Sequence, residues 1–186
     1  AVVALVHRRP LPPAPSEAGR LTTIPGGLFD ADLAAAMAGC TAVVHLVGII
    51  LERPSEGVTF ERMHVEATRR VVDAAVAAGV KRYVHMSALG TRPAAVSTYH
   101  RTKYLAEQHV RASPLDWTIF RPSLIHGPDG EFMRMEAAWA HRRRPPFFFM
   151  PYFGAGALGT RGAGLLQPVF VDDVARAFVD ALANPK

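Results

Sequence analysis

The sequence contains a single cysteine, Cys40, among 186 residues, so no disulfide can form within the chain. It also has no methionine at residue 1 and no positively charged segment ahead of the apolar residues 2–6, unlike the usual start of a signal peptide. A chain of this size buries about two thirds of the surface that its unfolded form exposes, which is enough for a core without cross-links. We therefore expect one globular domain over residues 1–186, in a reducing, cytoplasmic compartment.

Neither sign of charge is in large excess. The 21 Lys and Arg residues exceed the 16 Asp and Glu residues by a formal net charge of +5, and the two kinds are interleaved along the chain. The one basic run, at residues 141–144, is more typical of a solvated helix end than of a surface that follows a phosphate backbone. We expect no nucleic-acid partner.

Only one stretch of the sequence is long enough and sufficiently free of charge to be considered as a membrane-spanning segment. Residues 33–51 carry no formal charge over 19 residues, a length that can cross a bilayer. However, the first half is mostly alanine and ends at Gly39, whereas the second half is rich in β-branched residues, so we expect a short helix and then a buried strand. The aromatic residues 147–149 that follow the basic run are typical of a buried segment, with a membrane-surface patch as the alternative.

What the sequence does have is a regular alternation of apolar strands and amphipathic helices. Strands are predicted at residues 2–6, 21–24, 42–47, 82–86 and 117–120, and helices at 30–38, 60–78, 99–111, 132–142 and from about 172. This alternation predicts an α/β fold with a doubly wound parallel sheet that is covered on both faces. Ligands bind such a sheet beyond the carboxyl ends of its strands, so the residues after each strand are candidates for a site.

Three polar residues near one of these strand ends form the sharpest candidate site. Tyr99 and Lys103 are four residues apart on a predicted helix, and Ser87 ends the strand before it. The spacing places phenol and ammonium on one helical face, where the cation is expected to lower the pKa of Tyr99 toward the working range. The tyrosine can then relay a proton while the serine holds a substrate oxygen. The alternative is an exposed tyrosine beside a solvated lysine.

Five segments in this order resemble a known family: VVHLVGII, AGVKRYVHMSALG, YHRTKYLAE, DWTIFRPSLIHGP and LQPVFVDDVARA. They resemble the short-chain dehydrogenase/reductase superfamily in its atypical, extended branch, which includes NAD-dependent epimerases and dehydratases. Within that branch, they are most similar to relatives of the Rossmann-type accessory subunit of respiratory complex I. The resemblance covers most of the chain.

The resemblance implies a Rossmann-like fold that binds NAD(P), with Ser87, Tyr99 and Lys103 as the catalytic residues. Lys103 and Tyr99 would also contact the nicotinamide ribose, and Gly48 would lie in the loop that passes the cofactor. The stretch Pro122, Ser123 and Leu124 would pass the nicotinamide ring. Basic residues after the second strand typically bind the 2′-phosphate of NADP, and Arg8 and Arg9 occupy that place without an acidic neighbour, so NADP is favoured over NAD.

Parts of the family pattern have no counterpart in this sequence. The first strand with its glycine-rich turn and most of the C-terminal substrate lobe are missing, so we expect the natural protein to extend further and the sheet to have a gap at its centre. Gly26 and Gly27 stand where the family often has Gly-Asp, which leaves no carboxylate for the adenine.

Two functions remain open from the sequence. The first is an NAD(P)-dependent oxidoreductase or epimerase in which Tyr99 transfers the proton. The second is a non-catalytic NADP(H)-binding accessory or sensor subunit, associated with a respiratory complex or with the inner face of a membrane. No metal is expected, because His45 and His85 lie in apolar strands and fit hydrogen-bonded core positions better than metal sites. The substrate and the oligomeric state are not indicated.

Overall fold

Parallel strands alternate with helices along the chain. The computed structural model describes residues 1–7, 19–128, 130–143, 145, 154–155, 161–163 and 167–184. They form two compact units, one of Ala1–Arg121 with Ala181–Lys186 and one of Pro122–Asp180. The first unit contains the strands and helices that carry most of the predicted site.

The strands of the first unit are β1 (Val2–Val6), β2 (Leu21–Pro25), β3 (Ala42–His45), β4 (Arg82–Met86) and β5 (Asp116–Phe120). Its helical segments are α1 (Leu33–Ala36), a 3-10 turn (Pro54–Glu56), a π-helix (Glu61–Glu66), α2 (Ala67–Ala77) and α3 (Thr98–Ala112). Further along the chain are β6 (Ile125–His126), α4 (Glu131–Ala140), β7 (Gly154–Ala155), β8 (Arg161–Ala163), β9 (Val169–Phe170) and α5 (Val171–Ala183). The predicted doubly wound α/β class is confirmed.

The parallel strands of the first unit form two sheets. β1 pairs with β2, while β3, β4 and β5 pair in that order, with Ala42 opposite Arg82 and Tyr83 opposite Trp117. Among the described residues, β1 and β3 each have one edge that pairs with no strand. The break falls where the family resemblance predicts an additional central strand.

The core lies under the face of α2. Ala67, Val71 and Ala75 recur every four residues and are 0%, 5% and 0% exposed, so they form one apolar stripe that packs against Tyr83 of β4. Each valine buried in this way contributes about 1.5–3 kcal/mol relative to an exposed one. The helix ends at Gly79, whose φ of +73° suits glycine.

Two predicted helices differ from the observed ones. α1 begins only at Leu33, because Asp32 caps it by accepting a hydrogen bond from the Ala35 amide at 3.0 Å, while Asp30 belongs to a preceding turn closed on the Gly27 carbonyl. The helix predicted over residues 60–78 begins as the π-helix before it becomes α2. A π-helix widens the backbone by one residue per turn and changes which side chains point inward.

The apolar residues 33–51 form α1 and β3, as predicted, and no helix in the described parts of the chain is long and apolar enough to span a bilayer. Arg142 and Arg143 follow the end of α4, as the helix-end interpretation expects. Arg144 and the aromatic residues 147–149 lie outside the described residues.

Candidate active site

Ser87 follows the last residue of β4. Its backbone amide donates to the Phe120 carbonyl at 2.7 Å, which continues the pairing of β4 with β5 for one more residue. Its side chain is buried, and the hydroxyl donates to Thr91 Oγ1 at 3.3 Å. The strand end therefore holds this hydroxyl in a defined place at the carboxyl edge of the sheet.

Tyr99 lies in the first turn of α3 and is half-buried. Its ring is packed edge to face against three aromatic rings, with centroid distances of 5.7 Å to Phe60, 5.2 Å to His64 and 5.0 Å to His100. Burial raises the pKa of Tyr99 above its ordinary value. The expectation that a neighbouring lysine lowers this pKa is wrong for the chain by itself, because loss of water around the phenolate is the dominant effect.

Lys103 lies one turn after Tyr99 and is 5% exposed. Its Nζ atom donates to the Met86 carbonyl at 3.1 Å, directly before Ser87 in the chain. Burial lowers the pKa of Lys103 to about 8, and the charge of Glu107 opposes that shift. The ammonium is therefore fixed at the end of β4 rather than solvated, which excludes the alternative of an exposed pair at this position.

Gly48 lies in the loop after β3. A Cβ atom at this position would be 2.8 Å from Lys103 Nζ and 3.7 Å from His64 Nε2, so the absence of a side chain leaves room for the ammonium in its observed position. The structure thus brings Gly48, Lys103 and the end of β4 together, from three separate segments of the sequence.

A buried carboxylate lies on α3 close to the residues of this site, and the sequence analysis did not identify it. Glu107 is fully buried on α3, one turn after Lys103, and Arg121 at the end of β5 donates to both of its oxygens at 2.8 and 2.6 Å. Burial by itself would raise the pKa of Glu107, but the hydrogen bonds and the charge of Arg121 hold it below its ordinary value. Its signal in the sequence was the continued four-residue spacing from Tyr99 and Lys103.

A second residue that the sequence analysis missed is His64 in the π-helix. It is 1% exposed, and its Nδ1 atom is 2.9 Å from Thr102 Oγ1, while its Nε2 atom lies 3.2 Å from the amide nitrogen of Ile49. Burial, with the charge of Lys103, lowers the pKa of His64 to about 4, although the backbone of Ile49 opposes the shift. Its signal in the sequence was the helical spacing, because His64 precedes the buried Ala67 and Val71 by three and seven residues.

His45 and His85 are buried core residues, as predicted. His45 Nδ1 is hydrogen bonded to the Tyr83 hydroxyl at 2.8 Å, whereas His45 Nε2 and both nitrogens of His85 have no hydrogen-bond partner among the described residues. Burial and the charges of Lys103 and His64 lower the pKa of His85 to about 3. Within the described ranges, no group of three or more His, Cys, Asp or Glu side chains is suited to a metal ion.

The other predicted cofactor contacts fall elsewhere. Pro122, Ser123 and Leu124 belong to the second unit, where the Leu124 carbonyl accepts a hydrogen bond from the Val169 amide at 2.9 Å, next to the pairing of β6 with β9. Arg8 and Arg9 lie outside the described residues.

The second unit also has an open cavity of about 380 Å³ between α4 and the β6–β9 pair, lined mainly by apolar side chains such as Met133 and Phe170. His126 and Arg134 are the polar side chains in its lining.

Comparisons with known proteins agree with this geometry. A profile of the NAD(P)H-binding family matches residues 1–138. The mitochondrial NADH dehydrogenase [ubiquinone] 1 alpha subcomplex subunit 9 of Mus musculus is 29% identical over 168 residues, which cover 90% of this chain and 41% of that protein. A ceramide reductase of Caulobacter vibrioides is 36% identical over 90 residues, which cover 48% of this chain and 27% of the reductase.

Among solved structures, MoeE5 in complex with UDP-glucuronic acid and NAD superposes with a TM-score of 0.74 at 26% identity, over 99% of this chain and 64% of MoeE5. The chain therefore spans less than two thirds of the length of each of these relatives. Since the family profile covers well over half of the chain and the structures share its topology, the chain belongs to the NAD(P)H-binding family, with a Rossmann-like fold of the short-chain dehydrogenase/reductase type.

Proposed function

We propose that the protein is an NAD(P)-dependent oxidoreductase or epimerase in which Ser87, Tyr99 and Lys103 are the catalytic residues. The observation that carries the proposal is the buried ammonium of Lys103, held by the Met86 carbonyl beside Ser87 and against Gly48, one helical turn after Tyr99. A buried cation at the carboxyl end of a parallel sheet is costly to fold, and it is typical of a binding or catalytic role.

Gly48 and Lys103 fit the sugar of a dinucleotide. Glycine leaves room beside the ammonium, and the ammonium has donors left over for ribose hydroxyl groups after its bond to Met86. We propose that Pro122, Ser123 and Leu124 pass the nicotinamide ring and that Arg8 and Arg9 hold the 2′-phosphate of NADP. NAD is the alternative, supported by the NAD bound in MoeE5.

In this proposal, side chains of this protein carry out the proton transfer at the substrate oxygen. A bound nicotinamide would supply or accept a hydride at the substrate carbon. In the direction of reduction, the Tyr99 phenol gives its proton to the carbonyl oxygen, and Ser87 donates a hydrogen bond to that oxygen. We propose that, with the nicotinamide bound, the positive charge of Lys103 stabilises the phenolate that Tyr99 becomes. In oxidation the same proton returns to Tyr99.

Nicotinamide binding is the first test. Titration of NADPH or NADH fluorescence with the protein gives the dissociation constant of each, and Lys103→Ala should raise it by about tenfold or more, because one charge-assisted hydrogen bond is lost. Lys81→Ala removes an exposed lysine and should leave affinity unchanged. Equal affinity of these two variants would contradict the role of Lys103.

Turnover is the second test, with a panel of ketones and sugar nucleotides as substrates. Tyr99→Phe should keep nicotinamide affinity while turnover falls by about 100-fold or more, as expected when a general acid is removed. Unchanged turnover would exclude the tyrosine mechanism.

The second candidate function is a non-catalytic NADP(H)-binding subunit of a respiratory complex or a sensor, located in the cytoplasm or at the inner face of a membrane. It is supported by the similarity to the mouse NADH dehydrogenase subunit over 90% of this chain. In that case NADPH at about 100 times its dissociation constant stabilises the protein by about 2.7 kcal/mol, with no turnover of the panel. The ceramide reductase relative supports the enzyme instead.

A further inference from the structure

We propose that His64 is a positioning residue that couples the loop carrying Gly48 to the catalytic helix α3 through one imidazole ring. The inference rests on the proposed function, in which that loop passes the cofactor and α3 carries the tyrosine and lysine. No catalytic role for His64 itself is implied, because its two ring nitrogens contact the protein.

One nitrogen of His64 is bonded to α3. His64 Nδ1 lies 2.9 Å from Thr102 Oγ1, and the same hydroxyl oxygen lies 3.0 Å from the carbonyl oxygens of Thr98 and Tyr99 in the preceding turn. A hydroxyl both donates and accepts, so this hydrogen bond forms with either tautomer of the ring. The imidazole is therefore bonded to the helix that carries Tyr99 and Lys103.

The second nitrogen is bonded to the loop after β3. His64 Nε2 lies 3.2 Å from the amide nitrogen and 3.1 Å from the carbonyl oxygen of Ile49, directly after Gly48, so the Ile49 backbone offers it both a donor and an acceptor. Each end of the ring is therefore hydrogen bonded, one to α3 and one to the loop. Burial lowers the pKa of His64, so the ring is neutral at pH 7 and pairs through one N–H and one lone pair.

The same ring also contacts Tyr99. The two rings meet edge to face at 86° with their centroids 5.2 Å apart, and Phe60 stacks on His64 at 5.4 Å while it also meets Tyr99 at 5.7 Å. His64 therefore limits where the phenol can lie as well as where Gly48 can lie. Loss of the ring is expected to free both at once.

Two substitutions separate hydrogen bonding from packing. His64→Leu introduces an apolar side chain of similar volume without a polar atom, whereas His64→Gln has an amide group that reaches close to the Nε2 position and can accept from or donate to the Ile49 backbone. His109→Leu on the exposed side of α3 is the matched control. The measurements are the NADPH dissociation constant by fluorescence and the pKa of the Tyr99 phenol by carbon-13 tyrosine NMR, assigned with Tyr99→Phe.

We expect His64→Leu to raise the dissociation constant by about tenfold, the effect of one lost hydrogen bond, and to shift the Tyr99 pKa. His64→Gln should stay within about threefold of the wild type in affinity, and His109→Leu should equal it. Leu and Gln variants that weaken binding equally, or a folded Leu variant with unchanged affinity and Tyr99 pKa, would overturn the proposal.

A measurement on the unaltered protein covers the case in which His64→Leu does not fold. Nitrogen-15 NMR of the histidine rings should show His64 as a neutral ring held in a single tautomer at pH 7, and a ring that exchanges between the two tautomers or carries both protons would overturn the coupling. Failure of the proposed function is distinct from this result, since it would appear as wild-type protein that binds neither NADPH nor NADH.

Discussion

At the scale of single residues, the site depends on how closely Gly48 and Lys103 approach each other. Burial lowers the pKa of the ammonium to about 8, so the group stays mostly charged at pH 7 although it is buried. Among the described residues, the Met86 carbonyl is the only hydrogen-bond acceptor for this ammonium. Small displacements of the Nζ atom therefore change which hydrogen bonds it can donate to a ligand.

We expect Gly48→Ala to displace the Nζ atom of Lys103. The new Cβ atom would be 2.8 Å from Nζ, and the flexible lysine can move away, so the free energy of unfolding should change little. NADPH affinity should fall by about tenfold, because the ammonium leaves its position. The measurement is a fluorescence titration together with urea unfolding.

Gly79→Ala is the contrasting control for that prediction. Gly79 has φ of +73° with open space around it, so alanine there should cost about 1 kcal/mol of stability through backbone strain and leave NADPH affinity unchanged. If Gly48→Ala lowers stability but not affinity, the assignment of Gly48 to the cofactor loop is wrong.

At the scale of secondary-structure elements, Glu107 and Arg121 join α3 to the end of β5. The carboxylate is fully buried and the guanidinium is partly exposed, with two hydrogen bonds of 2.8 and 2.6 Å between them. Paired bonds of this kind set geometry as well as energy. They hold the helix that carries Tyr99 and Lys103 at a fixed distance from the strand edge.

Arg121→Gln should therefore destabilise the protein by about 3 kcal/mol, because it leaves a buried carboxylate without its main partner. Urea unfolding measures the change, and Arg92→Gln on an exposed site should stay within about 0.5 kcal/mol of the wild type. Since the charge of Glu107 raises the pKa of Lys103, Glu107→Gln should lower that pKa further. Similar stability of the two arginine variants would show that the pair is not a structural link.

At the scale of the whole molecule, buried histidines make stability depend on pH. The pKa values of His64 and His85 are lowered from 6.5 to about 4 and about 3 by burial. Below pH 6.5 the unfolded chain therefore binds protons that the folded chain does not, so stability falls as pH falls. Above that pH these two residues contribute no pH dependence.

The expected slope is about 1.4 kcal/mol per pH unit for each of these histidines between about pH 6 and pH 4. His85→Leu should reduce the slope by about that amount, and since it also removes two buried nitrogens without partners, stability near pH 7 should change little or increase. The measurement is urea unfolding at several pH values. Gln108→Leu, at an exposed position of α3, should keep the wild-type slope, and an equal slope in His85→Leu would contradict a neutral, buried His85.

Much of this architecture was predictable because periodicity and strand ends are local properties of a sequence. The bounds of β1 and β4 were predicted to the residue, and Ser87, Gly48 and Lys103 were found as polar or small residues beside strand ends or on the following helix. The same local rules predicted the parallel α/β class, which hydrophobic pattern and helix caps specify without reference to distant residues.

Long-range packing decided the rest. The tertiary structure turned the start of a predicted helix into a π-helix, and it raised the pKa of Tyr99 instead of lowering it. It also paired Glu107 with Arg121, fourteen residues away in the chain. Desolvation and ion pairing depend on which atoms surround a group in space. The spacing of residues along the chain does not specify these surroundings.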